Sequence, residues 1–169
     1  MLRRLFCGLA MAAALPVLLL TSPSLLLAQS GQSGGQWSSH TLGEETTELA
    51  DGRTLVMNHS AQATFADDAD HPLANQRADC AGQFVLSADG EVMSGNGACF
   101  SLDGDGDGVS YWWVVDSAGT EDCPDLCGSF TYYGGYGKYA GMTGSGTWRR
   151  NALVGGMGMG TWSSSYSIR

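Results

Sequence analysis

Short runs of β-forming residues, separated by turn signals, extend over most of this sequence and constrain its fold more than any other feature. No stretch carries an apolar stripe at helical spacing over three turns. Residues 45–66 and 80–102 each predict a β-hairpin, because Asp51-Gly52 and Asp89-Gly90 are typical hairpin dipeptides and favour a type I′ turn. The pattern therefore predicts an all-β fold.

Further strands are predicted at residues 110–116 and 128–133 and in the last segment. That segment alternates strictly, with one face formed by Trp162, Ser164, Tyr166 and Ile168. Counting from Trp37 gives seven to nine strands. A single open sheet of that size would leave edges exposed, so we expect one antiparallel barrel of about eight strands. A two-sheet β-sandwich is the alternative.

The N-terminal segment is typical of a signal peptide. Arg3 and Arg4 precede an apolar run that Pro16 interrupts, and Ala28 is followed by polar residues. We expect residues 1–28 to be the signal, residues 29–36 a flexible Ser/Gly/Gln arm, and residues 37–169 the barrel domain. The protein is then secreted or periplasmic. Arg3-Arg4 also fits a twin-arginine signal, and the export route stays open.

Net charge excludes some partner classes. Removal of Arg3 and Arg4 with the signal takes the formal charge from −9 to −11. Such a surface repels phosphates and anionic headgroups, so neither nucleic acid nor a membrane surface is an expected partner of the mature chain. The oligomeric state is not indicated.

The cysteines predict two disulfides. Cys7 leaves with the signal, and four cysteines then remain in an oxidising compartment. Three pairings are formally allowed. Cys80 and Cys99 lie symmetrically about Asp89-Gly90, so they are expected to face each other across the hairpin, which leaves Cys123 to pair with Cys127.

Two motifs carry a family resemblance. Residues 134–148, GGYGKYAGMTGSGTW, resemble the Gly-Gly-Thr-Gly-Lys-Tyr-Ala-Gly-x-Thr-Gly-x-Gly signature of small exported bacterial proteins related to the allene oxide cyclase and dirigent-like barrel superfamily. The match departs at Tyr136, where threonine is usual. Cys99 followed by Asp103-Gly104-Asp105-Gly106-Asp107 is similar to an acidic turn of the same group.

The resemblance implies an eight-stranded antiparallel barrel with a funnel-shaped apolar cavity. Some superfamily members cyclise or steer reactive intermediates, whereas many bacterial ones have no known activity. The catalytic positions of the plant cyclase fall in neither motif, so no catalytic residue is carried over. The triplets ending at Trp148 and Trp162 come too late in the chain for a lipocalin.

Two acidic clusters are candidate metal sites. Asp103, Asp105 and Asp107 match the first half of a calcium loop, but Val114 occupies the position of its final glutamate, so a solvated turn is the favoured interpretation over a weak calcium site. The second cluster comprises Asp67, Asp68, Asp70 and His71 and reads as an exposed loop. We expect no metal and no cofactor, and His40 and His59 lack sequence-local partners.

Strand aromatics of the C-terminal half suggest a lined cavity. The candidate ligand-binding residues are Trp112, Trp113, Tyr132, Trp148 and Trp162. Alternation places the neighbours Trp112 and Trp113 on opposite faces, so only one of them can line the interior. Three alternative functions remain, in decreasing order of preference. They are a barrel that binds a small apolar molecule, a cavity enzyme of the isomerase or cyclase kind, and a structural exported protein with a filled core. Whether the chain is an enzyme stays undecided.

Overall fold

The computed structural model describes residues 29–68 and 73–169, which form a closed antiparallel barrel. The strands are β1 (Gln29–Glu48), β2 (Thr54–Ala66), β3 (Gln76–Leu86), β4 (Val92–Leu102), β5 (Gly108–Ala118), β6 (Leu126–Tyr136), β7 (Thr143–Val154) and β8 (Met157–Ile168). Each strand pairs with the next, and β1 closes the barrel by pairing with β8. The predicted all-β barrel is confirmed. The predicted signal, residues 1–28, lies outside the described residues.

The prediction of a flexible arm at residues 29–36 is wrong. These residues form the first part of β1 and pair with β8 from Gln29 opposite Ile168 to Gln36 opposite Thr161. Their side chains contribute little apolar surface, but their backbone N–H and C=O groups complete the hydrogen bonding of a strand that would otherwise be an edge. Barrel closure therefore orders a segment whose composition is that of a linker.

The hairpin turns correct the predicted turn type. The N–H of Leu49 donates to the carbonyl of Arg53, and the N–H of Gly52 donates back to Leu49. The turn at Gly90 repeats this pattern, and φ is positive at Gly52 and Gly90 but not at the aspartates before them. Both are type I turns followed by a glycine bulge. The two-residue turn with φ positive at both positions is Gly155-Gly156, between β7 and β8.

Two cysteine pairs lie at disulfide distance, in the predicted pairing. Cys80 faces Cys99 across β3 and β4, with 4.1 Å between their Cα atoms. Cys123 pairs with Cys127 in the loop between β5 and β6, with 6.0 Å between their Cα atoms. Both pairs are compatible with an oxidising, extracellular environment.

The two ends of the barrel differ. The loops that follow β2, β4 and β6 form one end, where a buried cluster closes the interior; it contains Leu73, Val109, Tyr139, Met142, Tyr166 and Ile168. We call this end the floor. The turns that follow β1, β3, β5 and β7 form the opposite end, which we call the mouth. No helix in the described part of the chain is long and apolar enough to cross a bilayer.

Candidate functional site

The barrel encloses a cavity of about 460 Å³ that is open at the mouth. Glu44, Leu153 and Gly156 border it at the mouth, and Leu73 and Gln76 border it near the floor. A volume of this size is within the range of small-molecule sites, roughly 300–1,000 Å³. The interior is therefore not filled by its own side chains, which disagrees with the filled-core alternative.

One wall of the cavity is aromatic. Its rings belong to Trp37, Phe84, Tyr111, Trp113, Phe130, Tyr132, Trp148 and Trp162. They contact one another edge to face or at a tilt: the ring centroids of Trp113 and Trp148 lie 6.2 Å apart, and those of Trp113 and Phe84 lie 5.5 Å apart. Such pairs hold each other in fixed orientations. The contacts form two groups of rings, one of Trp37, Phe84, Trp113 and Trp148 and the other of Tyr111, Phe130 and Tyr132.

Inward-facing glycines leave room for these rings against the barrel wall. A Cβ atom on Gly97 would come within 2.5 Å of the Trp113 ring, and one on Gly160 would come within 2.8 Å of the Trp37 ring. Each indole therefore occupies space that a larger residue on the neighbouring strand would take. This arrangement keeps the centre of the barrel open despite its many aromatic residues.

A second region of the lining, on the neighbouring strands β1 and β2, carries uncharged polar side chains and is called the polar wall here. β1 and β2 contribute Ser39, Thr41, Asn58, Ser60, Gln62 and Thr64. The side-chain amide of Gln62 donates to the hydroxyl of Tyr111 at 3.2 Å, and that of Asn58 donates to Thr41 at 3.5 Å. The remaining hydroxyl and amide groups can hydrogen-bond to oxygen or nitrogen atoms of a bound molecule.

Charged side chains border the cavity at the mouth. Among the described residues that line it, the Asp, Glu, Lys and Arg side chains are those of Glu44 and Arg150. The guanidinium of Arg150 is already held by Asp125 in a bidentate pair, with N–O distances of 2.7 and 2.8 Å. A molecule deep in the cavity therefore meets uncharged groups.

The two tyrosine hydroxyls inside the barrel stay protonated at neutral pH. Burial raises the pKa of Tyr132 to about 12, and its hydroxyl lies 3.3 Å from that of Ser164. Burial also raises the pKa of Tyr111. Both groups are suited to donating hydrogen bonds and poorly suited to acting as general bases.

The structure brings four of the five candidate ligand-binding residues together. Trp113, Tyr132, Trp148 and Trp162 line the cavity. Trp112 does not: its side chain is on the outer surface, 55% exposed, with its ring centroid 5.5 Å from that of Tyr133. The expectation that only one of the neighbouring tryptophans faces inward is confirmed, and Trp112 is removed from the candidate site.

Sequence reasoning missed other parts of the site. Tyr111 could have been found, because it precedes Trp113 by two residues in one strand and therefore shares its face. Trp37 and Phe84 lie in strands whose inward face the sequence pattern left undecided. The polar wall gave no signal, since serine and threonine alternate with other small residues along β1 and β2.

The acidic turn between β4 and β5 forms a closed ionic network. Asp103, with its side chain 6% exposed, accepts hydrogen bonds from Lys138 at 2.7 Å and from the Tyr139 hydroxyl at 3.0 Å. Lys138 also contacts Asp105 at 3.0 Å. The lysine ammonium thus lies between the carboxylates that a calcium ion would need. In the described ranges no three His, Cys, Asp or Glu side chains are grouped for a metal.

The remaining candidates lie away from the cavity. His40 is exposed, and His59 lies on the outer surface with Nε2 3.6 Å from Asp79. Asp67 and Asp68 follow the end of β2, whereas Asp70 and His71 lie outside the described residues. None of the described members of this set lines the cavity.

Comparison with known proteins identifies solved structures of the same fold but no family model and no curated relative. A protein of unknown function from the DUF3224 family of Shewanella oneidensis superposes with a TM-score of 0.59 at 10% identity, covering 83% of this chain and 98% of its own. A pterocarpan synthase dirigent protein superposes with a TM-score of 0.50 at 10% identity, covering 87% and 94%. The chain therefore has the allene oxide cyclase-like barrel fold that its motifs indicated, and at this identity the likeness extends to the fold alone.

Proposed function

We propose that this protein is a binding barrel for a small, uncharged, largely apolar molecule that carries oxygen or nitrogen substituents along one edge. The observation that carries the proposal is the open cavity of about 460 Å³ between an aromatic wall and an uncharged polar wall. An apolar ring system can pack against the aromatics while its polar edge faces the hydroxyls and amides of β1 and β2.

The charged side chains that line the cavity lie at its mouth, which supports the proposal that the ligand is uncharged. Moving an ion from water into a site without a counter-charge costs far more than hydrogen bonds to neutral groups return. Arg150, at the mouth, already has its guanidinium paired with Asp125. A charged group on the ligand is thus expected to stay at the mouth or in water.

Binding is favoured over catalysis by the groups that the cavity offers. Tyr111 and Tyr132 have raised pKa values, and the nearest carboxylate of the lining, Glu44, borders the mouth. One solved barrel of this fold is described as a pterocarpan synthase dirigent protein. A cavity enzyme that shapes an isomerisation or cyclisation is therefore the second candidate, supported by that protein's fold.

Export is part of the proposal. The apolar segment after Arg3 and Arg4 has the composition of a signal peptide, and the two disulfide pairs are compatible with an oxidising compartment. N-terminal sequencing of the protein recovered from outside the cytoplasm is expected to start near Gln29. Recovery from the cytoplasm with an intact N-terminus and free thiols would contradict export.

The binding proposal is tested with adjacent residues on opposite faces of β2. Ser60 lines the cavity, whereas Ala61 is exposed on the outer surface. Titration with N-phenylnaphthylamine, an uncharged aromatic probe, is expected to show one molecule bound per chain with enhanced fluorescence. Ser60→Phe places a ring inside the cavity and takes up part of the ligand's space, so it should weaken binding at least about tenfold, whereas Ala61→Phe should leave binding unchanged.

The comparison of the two variants separates binding in the cavity from adsorption of the probe to the outer surface. If both variants bind the probe like the original chain, the probe is not in the cavity, and failure of a panel of uncharged aromatic probes to bind would overturn the proposal. Turnover of a bound compound, followed by mass spectrometry, would favour the enzyme instead. Circular dichroism and thermal unfolding establish that both variants are folded.

A further inference from the structure

An exposed apolar patch borders the mouth of the cavity. It consists of Leu42 at the bulge in β1, Leu153 and Val154 at the end of β7, and Met157 at the start of β8. Their exposed fractions are 55, 56, 67 and 45%. We call these four residues the mouth lip. Other apolar side chains are exposed on the outer faces of the strands, but these four lie at the entrance of the cavity, where grouped apolar side chains mark a candidate contact surface.

The mouth lip is continuous with the cavity. Leu153 and Gly156 belong to its lining, and the carbonyl of Gly156 accepts a hydrogen bond from the N–H of Thr41 at 3.3 Å, which joins the β7–β8 turn to β1. The floor is closed by fully buried residues such as Tyr139 and Met142. A ligand that enters the barrel therefore passes the mouth lip.

The charges around the mouth lip restrict its partner. The segment from Asn151 to Ile168 contains no Asp, Glu, Lys, Arg or His. Acidic residues surround the same end of the barrel: Glu44 and Glu45 lie in the last part of β1, and Asp89 and Glu91 lie in the turn between β3 and β4. A second copy docked mouth to mouth would bring these carboxylates together, and an anionic membrane would repel them.

Size also argues against a protein partner. Four half-exposed aliphatic side chains fall well short of the roughly 800 Å² that each partner buries in a standard protein interface. Leu153, Val154 and Met157 flank a tight two-residue turn, Gly155-Gly156, and Leu42 lies on the neighbouring strand β1, so the patch is the narrow tip of a hairpin and not a broad face. A narrow apolar tip can be immersed in a fluid apolar phase without shape complementarity.

We propose that the mouth lip docks on the surface of a zwitterionic phospholipid bilayer and that the cavity takes up its ligand directly from that surface. The uptake step rests on the proposed binding function. This proposal departs from the expectation that no membrane surface is a partner. That expectation rested on repulsion between the acidic chain and anionic headgroups, and zwitterionic headgroups carry no net charge. An apolar ligand partitions into bilayers. When the mouth is docked on the bilayer, the ligand can move from the bilayer into the cavity without crossing bulk water.

The docking step is tested by flotation with phosphatidylcholine vesicles. Val154→Asp places a charge in the mouth lip, and Val114→Asp makes the same change on the outer face of β5, where Val114 is 42% exposed. Val154→Asp should reduce the vesicle-bound fraction about tenfold, while Val114→Asp should leave it unchanged. All variants are produced and processed identically, so the N-terminal segment contributes equally to each.

Several results would overturn the docking proposal. They are an equal loss of binding in both aspartate variants, no binding of the original chain to phosphatidylcholine, or tighter binding to vesicles that contain phosphatidylglycerol. A concentration-dependent dimer that Val154→Asp abolishes in sedimentation velocity would assign the mouth lip to a second copy. Each of these outcomes leaves the binding cavity itself intact.

The uptake step is read separately. Vesicles loaded with N-phenylnaphthylamine are mixed with protein, and the rate of probe transfer is followed by fluorescence. Direct uptake predicts that transfer slows in Val154→Asp and speeds up with vesicle concentration, while the affinity for probe added from water stays unchanged. If the original chain does not bind the probe when it is added from water, the proposed binding function itself is contradicted. Transfer rates independent of vesicle concentration would show passage through water and contradict uptake at the surface.

Discussion

The side-chain amide of Gln62 donates a hydrogen bond to the hydroxyl of Tyr111, with 3.2 Å between Nε2 and the oxygen. The bond crosses the barrel interior from β2 to β5 and joins the polar wall of the cavity to the aromatic wall. It sets the relative position of two surfaces that would otherwise be connected only through the intervening strands.

Removal of this bond predicts a measurable coupling. Tyr111→Phe and Gln62→Leu should each lower the free energy of unfolding by about 1 kcal/mol, because each leaves one polar partner unsatisfied. The double variant should cost less than the sum of the two, with a coupling of at least about 0.5 kcal/mol. Urea denaturation measures all four proteins, and strict additivity would contradict a direct bond.

The disulfide pairing predicts a specific peptide map. Digestion of the oxidised protein should yield the pairs Cys80–Cys99 and Cys123–Cys127. Replacing Cys80 and Cys99 together by alanine should cost about 3 kcal/mol, and replacing the short-loop pair should cost about 2 kcal/mol, since the stabilisation grows with loop length. A peptide joining Cys80 to Cys127, or Cys99 to Cys123, would refute the pairing.

The opposite orientations of Trp113 and Trp112 predict different effects of truncation. A tightly packed tryptophan costs about 3–5 kcal/mol when replaced by alanine, and Trp113→Ala should cost less because a cavity already borders its ring. Trp112→Ala removes a ring that is 55% exposed and should cost less again. Probe affinity should fall in Trp113→Ala alone. Equal probe binding in both variants would argue against a ligand at the aromatic wall.

The network at Asp103 predicts sensitivity to acid. Burial alone would raise the pKa of Asp103, but hydrogen bonds from Lys138, from the Tyr139 hydroxyl and from two backbone N–H groups outweigh it and hold the pKa below 3.8. The folded-state pKa is therefore below the unfolded value, so this stabilisation is present above about pH 4 and is lost as the pH falls through the folded pKa.

Asp103→Asn tests this dependence. At neutral pH the variant should be less stable by about 1–3 kcal/mol, because asparagine removes the negative charge and one of the two acceptor oxygens of a buried charge-assisted network. Below about pH 4 the difference should shrink. Asp105→Asn, at an aspartate whose side chain is 79% exposed, serves as the control and should have a small effect. A pH-independent difference between Asp103→Asn and the original chain would contradict the lowered pKa.

The buried tyrosines predict a loss of stability in alkali. Burial raises the pKa of Tyr132 from 10.0 to about 12. Since the unfolded chain ionises first, the stabilisation is present below about pH 10 and is lost as the pH rises towards 12. Denaturation in this range should show a fall in the free energy of unfolding that Tyr132→Phe reduces.

Local patterns were sufficient for much of this barrel. The hairpins that contain Gly52 and Gly90, the pairing of Cys80 with Cys99, and the alternation along β8 each depend on residues close in sequence, and the structure agrees with all of them. The predicted turn type at Asp89-Gly90 was wrong, because the same dipeptide occurs in a type I′ turn and in a type I turn followed by a glycine bulge. The two hairpins differ in φ of the aspartate and in the length of the loop.

Tertiary structure alone decided the character of the site. Strand alternation separates Trp112 from Trp113 but does not say which faces inward; that depends on the register with the neighbouring strands, where Gly97 leaves room for the Trp113 ring. The ordering of residues 29–36 required β8, which lies more than a hundred residues away in sequence. The open interior likewise depends on glycines placed against rings from other strands, and such cross-strand distances are properties of the closed barrel and not of any local segment.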